Sequence, residues 1–363
     1  MWKTVKLGDM LDVQNGYAFN SKQFDADGDI PLIRIRDLKN SIDTKTRYTG
    51  EYDDKYVVQS GDLLIGMDGE FRCYEWQGAA ALLNQRVCRL QNFHADLNQR
   101  FLLYAINGEL KKIEDVTGFT TVKHLSSKTI KQIELPLPPL AEQERIVAKL
   151  DAAFAEIDEV ISEVEAKENE VQKLKASLLS SSLNSDAVTW STAKLGEICI
   201  LNYGKGLDKK DRSENAVIPV YGANGIKAYT DKLLHDKPSI IIGRKGSAGE
   251  LNKVTKPFWA LDVTYYVTTD ESIVDIDFLF YALATLNLPS MARGIKPGIN
   301  RNDVYNKSIK LPPLAEQERI VTKLDAANSE FKNANEAIIK SKANYLALKS
   351  AILAKELQSS EAA

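Results

Sequence analysis

Histidine and cysteine are scarce in this chain, at three each in 363 residues. Cys73, Cys88 and Cys199 lie far apart and form no CxxC pair, so neither a disulfide framework nor a zinc site is expected. A reducing cytoplasm is the simple reading. His94, His124 and His235 are isolated, with no HExxH motif and no carboxylate pair at ligand spacing, which argues against a catalytic base. No apolar run reaches the length of a membrane span. The N-terminal MWKTVKLGDM lacks the apolar core of a secretory signal, so none is expected. No GxxxxGK[ST] appears and no GxGxxG opens a helix, which removes a nucleotide P-loop and a dinucleotide fold. The Gly-rich string from Gly243 to Gly249 has no Lys-Ser/Thr helix start after it and reads as a loop that approaches a polyanion. Acids are plentiful but scattered, with no nuclease constellation. The chain reads as one that binds rather than reacts.

A charge excess of one sign is missing as well. The 47 basic and 50 acidic residues leave a net charge of −3. Residues 141–185 hold 5 basic and 10 acidic side chains, while residues 186–313 hold 17 and 14. Neither block is a basic coat. Contact with a polyanion must rest on local clusters, or on a partner that supplies the remaining cations.

What the chain does have is one phrase written twice. Residues 137–153 read LPPLAEQERIVAKLDAA and residues 311–327 read LPPLAEQERIVTKLDAA, with Ala148 against Thr322 as the one difference. Weaker matches follow in the same order. The run from Trp2 to Asp9 parallels that from Trp190 to Glu197, and Ile30-Pro31-Leu32 parallels Ile218-Pro219-Val220. Leu64-Ile65-Gly66 with Gly69 parallels Ile241-Ile242-Gly243 with Gly246, and FLLYA at 101–105 parallels FLFYA at 278–282. Collinear matches of this kind mark a duplicated domain that diverged between fixed framework points. An object that presents one kind of surface twice suits DNA, which offers two half-sites related in the same way.

Each diverged block mixes short apolar runs bounded by Gly or Pro, read as strands, with the FLLYAI and FLFYALAT runs, read as buried helix. After each block comes a heptad pattern. Ile146, Leu150, Ile157, Val160, Val164, Val171, Leu174 and Leu178 form one seam, with Lys167 as its polar step. Ile320, Leu324, Phe331, Ile338, Tyr345, Leu348 and Ile352 form the other, with Ser341 at the same step. Pro138-Pro139 and Pro312-Pro313 start the helices, and Glu142, Glu144, Glu316 and Glu318 sit where the helix dipole favours acids. Two equal seams in one chain are expected to pair antiparallel. Shifted by the repeat offset, the end of the second helix falls beside Trp2, which makes the topology cyclic. The fold class is therefore mixed α/β: two tandem α/β domains separated by two long antiparallel coiled-coil helices, with pseudo-twofold cyclic topology. The expected boundaries are 1–139, 140–185, 186–313 and 314–357, with a disordered tail at 358–363.

This alternation of diverged blocks with LPLPPLAEQERIV at 135–147 and its copy at 311–321 resembles the DNA-specificity subunit of Type I restriction-modification systems. The resemblance covers nearly the whole chain. It implies two target recognition domains, each reading one half of a split, asymmetric double-stranded DNA site. It implies helices that set the spacing and dock two methyltransferase (modification) subunits, which motor-nuclease (restriction) subunits join. It also implies no catalytic centre, no metal and no cofactor in this chain, the complex using S-adenosylmethionine for modification and ATP with Mg²⁺ for restriction. A cytoplasmic, membrane-free setting follows. The acidic first helix and neutral second helix are unlike surfaces, which puts equal binding of the two modification subunits in doubt.

Candidate DNA readers lie on the polar, Gly-bounded loops. In the first block they are Asn15, Tyr17, Arg34, Arg36, Arg72, Thr120, Thr121, Lys123 and His124. In the second they are Lys205, Tyr221, Asn224, Arg244, Lys245, Arg293, Lys296, Asn300 and Arg301. Arg pairs bidentately with guanine and Asn with adenine in the major groove, so these residue types suit the task. For each one the bland reading is a solvated loop charge or surface ion pair. Two rival functions stand beside this one: a protein-only scaffold that bridges two adaptor domains, and a nuclease with an unrecognised site.

Overall fold

The short apolar runs form strands, and a four-stranded sheet of the same order forms in both blocks. The computed structural model describes residues 2–117, 123–184, 190–294 and 296–358. Thr120, Thr121 and residues 359–363 of the expected tail lie outside the described residues. The chain divides into two units, residues 1–162 with 342–363 and residues 163–341.

The first unit contains β1 (Lys3–Lys6), β2 (Asp12–Asn15), β3 (Phe24–Asp25), β4 (Ile30–Ile33), β5 (Arg47–Tyr48), β6 (Val57–Val58) and β7 (Leu63–Gly66). It continues with β8 (Cys73–Glu75), β9 (Ala81–Leu83), β10 (Val87–Gln91), α1 (Gln99–Val116), α2 (Ser127–Lys131) and β11 (Glu134–Leu137), and then enters α3 (Leu140–Leu183). One sheet has the order β2-β10-β7-β8, a second β3-β5-β4-β9-β6, and β1 pairs with β11. Every residue of β7 is buried, as expected of a central strand covered on both faces.

The second unit holds β12 (Ser191–Lys194), α4 (Leu195–Ile198), β13 (Cys199–Tyr203), β14 (Ile218–Gly222), β15 (Gly225–Thr230), β16 (Ser239–Gly243) and β17 (Leu251–Val254). After these come β18 (Trp259–Ala260), β19 (Thr264–Thr269), α5 (Ile276–Thr285), α6 (Arg301–Tyr305), β20 (Ser308–Leu311) and α7 (Leu314–Gln358). The order β13-β19-β16-β17 repeats that of the first sheet, and β12 pairs with β20. The FLLYAI run lies in α1 and FLFYALAT in α5, with Phe101, Leu102, Phe278 and Leu279 all buried.

The repeated phrase has a physical explanation in its glutamine. Gln143 and Gln317 are both fully buried. Gln143 Oε1 accepts from the Asn98 backbone N–H at 2.8 Å, and its Nε2 donates to Asp96 O and Pro138 O, each at 2.8 Å. Gln317 does the same with the Asp275 N–H at 2.8 Å, Ile273 O at 3.1 Å and Pro312 O at 2.8 Å. Asn98 and Asp275 are the N-caps of α1 and α5, their side chains accepting from the first-turn amides. One side chain thus ties the start of the long helix to the start of the domain helix, using every hydrogen-bonding group a buried amide must satisfy. The neighbouring glutamates act locally, with Glu142–Arg145 and Glu316–Arg319 closing paired contacts at 2.7 Å one turn apart.

Within each unit the two long helices pack antiparallel. In the first, Ile146 and Leu150 are buried in a cluster with Phe101, and Ile352, Leu353 and Leu357 pack on it. Lys149 pairs with Glu356 and Lys349 with Asp158, both at 2.7 Å, so position rises on one helix as it falls on the other. In the second unit Ile320 and Leu324 are buried, with Leu178 and Leu179 beside them. Two residues depart from the expected seam: Leu174 is 60% exposed and Leu348 46% exposed. They occupy the same step of the two copies. A straight α-helix drifts by about 20° per heptad against a seven-residue repeat, so four heptads past Ile146 or Ile320 the pattern has turned off the contact face. Packing resumes on Leu178 with Leu179, and on Ile352 with Leu353.

Trp2 packs in the cluster that holds Leu353 and Leu357, so the start of the first block meets the last turns of α7 within the first unit. A permuted chain with Ala363 joined to Met1 and new termini between Asn184 and Trp190 should keep its fold and its thermal midpoint within a few degrees. Circular dichroism melting checks this, and a permutant that recovers only as aggregate while a linker-nicked control stays soluble would count against it.

Candidate nucleic-acid interface

Strand register brings the Gly-bounded loops to one end of each main sheet. In the first unit Cys88 pairs with Asn15 and Val87 with Gly66. The end of β2, the end of β7 and the start of β10 therefore lie together. A bridge between Asp68 and His124 adds the segment before α2, and Asn15 Nδ2 donates to Ser127 Oγ at 3.4 Å. In the second unit Tyr203 pairs with Tyr265, Gly243 with Thr264, and Lys245 with Gly298. The matching backbone bonds are conserved in kind. Met67 N donates to Arg86 O as Arg244 N donates to Val263 O, both at 2.8 Å, and Leu125 N reaches Met67 O as Ile299 N reaches Arg244 O.

Glycine allows this construction at two places. A side chain at Gly16 would meet Asn84 O at 2.1 Å, and one at Gly204 would meet Leu261 O at 2.0 Å. Gly69 and Gly246, at φ of 79° and 80°, turn the loops back in the left-handed region.

The sequence candidates gather here but differ in what they do. Arg36, Lys205, Asn224, Lys245, Arg293 and Lys296 present exposed side chains. Tyr17, 51% exposed, is braced by Phe19 and Tyr56 at ring distances of 5.1 and 5.2 Å. Arg72 lies exposed over the Tyr74 ring. Arg244 and Arg301 lie near the half-exposed Tyr203 ring at 5.5 and 5.1 Å, and Arg244 also donates to Asp262 O. The result is an aromatic ring with two guanidinium groups beside it, suited to phosphate or base contact.

Other candidates also have partners within the fold. The Arg34 backbone N–H donates to Asp37, and its side chain lies 3.6 Å from the same carboxylate. Lys123 Nζ donates to Glu114 O at 2.7 Å. Asn300 caps α6 by accepting from the Asn302 N–H. Tyr221 is half-buried beside Phe258, and burial raises its pKa above the ordinary phenol value. His124 sits 2.7 Å from Asp68.

Sequence reasoning passed over Arg86, which shares Asp68 with His124 at 2.8 Å. The Asn84-Gln85-Arg86 turn between two apolar runs was the available clue. Among the described residues no group of three His, Cys, Asp or Glu side chains could hold a metal. Cys73, Cys88 and Cys199 are buried, and desolvation pushes the Cys88 and Cys199 thiols up to about 12. No helix among the described residues is long and apolar enough to cross a membrane.

A family model described as the Type I restriction modification DNA specificity domain matches residues 1–167 and again 187–342. The chain is 38% identical over 183 residues to the Type I restriction enzyme EcoBI specificity subunit of Escherichia coli, spanning 50% of this chain and 38% of that one. It is 26% identical over 352 residues to the EcoprrI specificity subunit of Escherichia coli, covering 88% and 86% of the two chains. A solved chain from a type I restriction-modification system has a TM-score of 0.76 at 19% identity, over 98% of this chain and 97% of that one, which speaks for the fold alone.

Proposed function

The chain belongs to the family of Type I restriction-modification DNA specificity domains, and from that premise we propose that it is the sequence-reading subunit of such a complex. Each unit reads one half of a split, asymmetric duplex target. Two methyltransferase subunits dock on the chain and supply cations that its net charge of −3 does not. Restriction subunits join that assembly. S-adenosylmethionine, and ATP with Mg²⁺, serve those partners, and this chain contributes recognition without catalysis in a cytoplasmic complex.

The observation that carries this reading is a loop end built twice on the same backbone with different side chains. A shared frame fixes how each loop end is presented, and the divergent side chains give two different base readings. The same frame explains why the EQ phrase is invariant between copies while the loops are not. A protein scaffold would have no evident use for two partly buried guanidinium groups set beside the half-exposed Tyr203 ring, which favours a polyanion as the ligand.

Exchanging residues 1–136 for the matching block of a relative tests the proposal. Assembled with its modification subunits, the chimera should methylate a target altered in one half only, as read by methylome sequencing. An alteration in both halves would refute independent reading. Binding to the native duplex should weaken steeply with salt. Cleavage of DNA by the purified chain with Mg²⁺ alone would overturn the non-catalytic assignment.

A further inference from the structure

We propose that Arg86, held in place by Asp68 and His124, reads a guanine in the half-site bound by the first unit. This rests on the proposed function and names the specificity residue within it. Four non-glycine residues among those described have positive φ: Ser41, Arg86, Asn92 and Asn287. Asparagine tolerates this region, and Arg86, at 78°, is the long side chain of the set. A strained backbone under an exposed cation points to a function for that side chain. The strain is held from both sides, because Arg86 O accepts from Met67 N at 2.8 Å and the Val87 N–H closes the turn on Asn84 O at 3.2 Å.

The side chain is aimed as firmly as its backbone. Asp68 Oδ2 accepts from Arg86 Nη1 at 2.8 Å, and Asp68 Oδ1 lies 2.7 Å from His124 Nδ1. Asp68 is 19% exposed while the Arg86 side chain is 58% exposed, so the carboxylate is the buttress and the guanidinium the probe. With Nη1 engaged, Nε and Nη2 remain for the N7 and O6 acceptors of guanine. Pre-orientation removes rotamer entropy that a free arginine would lose on binding.

The second unit provides an internal comparison. The backbone pair Met67–Arg86 corresponds to Arg244–Val263, joined by the same 2.8 Å hydrogen bond. Each unit has one arginine and one apolar residue at these two positions, and the order is inverted. Asp68 corresponds to Lys245, and His124 to Gly298. The acidic buttress thus occurs where the arginine comes from the turn before β10, and is absent where it comes from the loop after β16. This swap moves the cationic fork across the loop end and lets the same frame read different bases.

The test uses the full chain with its modification subunits and a pool of duplexes randomised across both half-sites, selected by binding and sequenced. Arg86→Gly should melt at or above the wild-type temperature, because glycine relieves the positive φ. It should lose about five- to 150-fold of discrimination at one G·C pair in one half-site, with the other half unchanged. Arg86→Lys should not restore that preference, since lysine lacks the fork. Asp68→Asn should weaken preference at the same pair. An unchanged consensus for Arg86→Gly would overturn the proposal, as would equal weakening across all sequences, the mark of a phosphate contact. A wild-type complex that enriches no split sequence would refute the proposed function itself, and this inference with it.

Discussion

Replacing Gln143 by alanine should destabilise the first unit by about 3–5 kcal/mol, a large fraction of the stability a domain of this kind has. The substitution leaves the Asn98 N–H, Asp96 O and Pro138 O without their partner in a site the side chain fills completely. An orphaned group costs about 1–3 kcal/mol where it is buried, and water entering the vacated space recovers part of it. Gln143→Glu should be no rescue, because it turns the donors toward Asp96 O and Pro138 O into an acceptor and adds a buried charge. Gln317→Ala should act equally on the second unit through the Asp275 N–H, Ile273 O and Pro312 O. Hydrogen exchange read by mass spectrometry localises the effect: α1 amides should lose protection in the first variant and α5 amides in the second. Equal loss in both helices, or a destabilisation under about 1 kcal/mol, would show that the glutamine is not the clamp.

The duplicated phrase announced the architecture because framework positions tolerate little change. The buried Gln143 side chain satisfies three backbone groups at once, so neither its length nor its chemistry can vary freely. The strands at Leu63–Gly66 and Ser239–Gly243 were readable for a related reason, since a strand covered on both faces is made mostly of apolar residues. Repeat offset also foretold the meeting of Trp2 with Leu357. The heptad pattern overreaches at one step of each helix. Leu174 and Leu348 fit a seven-residue count, yet the count ignores the drift between 3.5 and 3.6 residues per turn.

The binding face was harder to read, for a different physical reason. Sequence gives residue type, while recognition depends on which donors remain after the fold has used its share. Asn300, one of the candidate readers, spends its side-chain oxygen as a helix cap. Lys123, another candidate reader, donates to a helix carbonyl. Arg86 attracted no notice, because neither its positive φ nor its partner Asp68, 18 positions earlier, is visible in a linear string. Tyr203, 50% exposed, gains meaning only once the fold sets Arg244 and Arg301 close to its ring.

Adding one heptad to each long helix, between Ser162 and Glu163 of α3 and between Ser341 and Lys342 of α7, should abolish tight binding to the native target. These points lie where the chain divides into its two units and at nearly matched levels, given the Lys349–Asp158 pair just beyond them. Seven residues lengthen a helix by about 10 Å at ~1.5 Å each. That distance is about three base-pair steps at ~3.4 Å. The native spacing then allows one half-site at a time, and affinity should fall about 10³-fold toward the non-specific level. A target with two or three added base pairs should recover part of the loss, with recovery limited by rotation. Three base pairs turn the duplex by roughly 100°, since a turn takes about 10–10.5 pairs, whereas a heptad turns a straight helix by only about 20°. Three heptads in each helix add about 32 Å, close to one DNA turn of about 34–36 Å, and should restore tight binding to a target lengthened by nine or ten pairs. Competition binding across a series of spacer lengths measures both effects. If folded variants of either length kept the native spacing preference, the helices would not be what sets the distance between the half-sites.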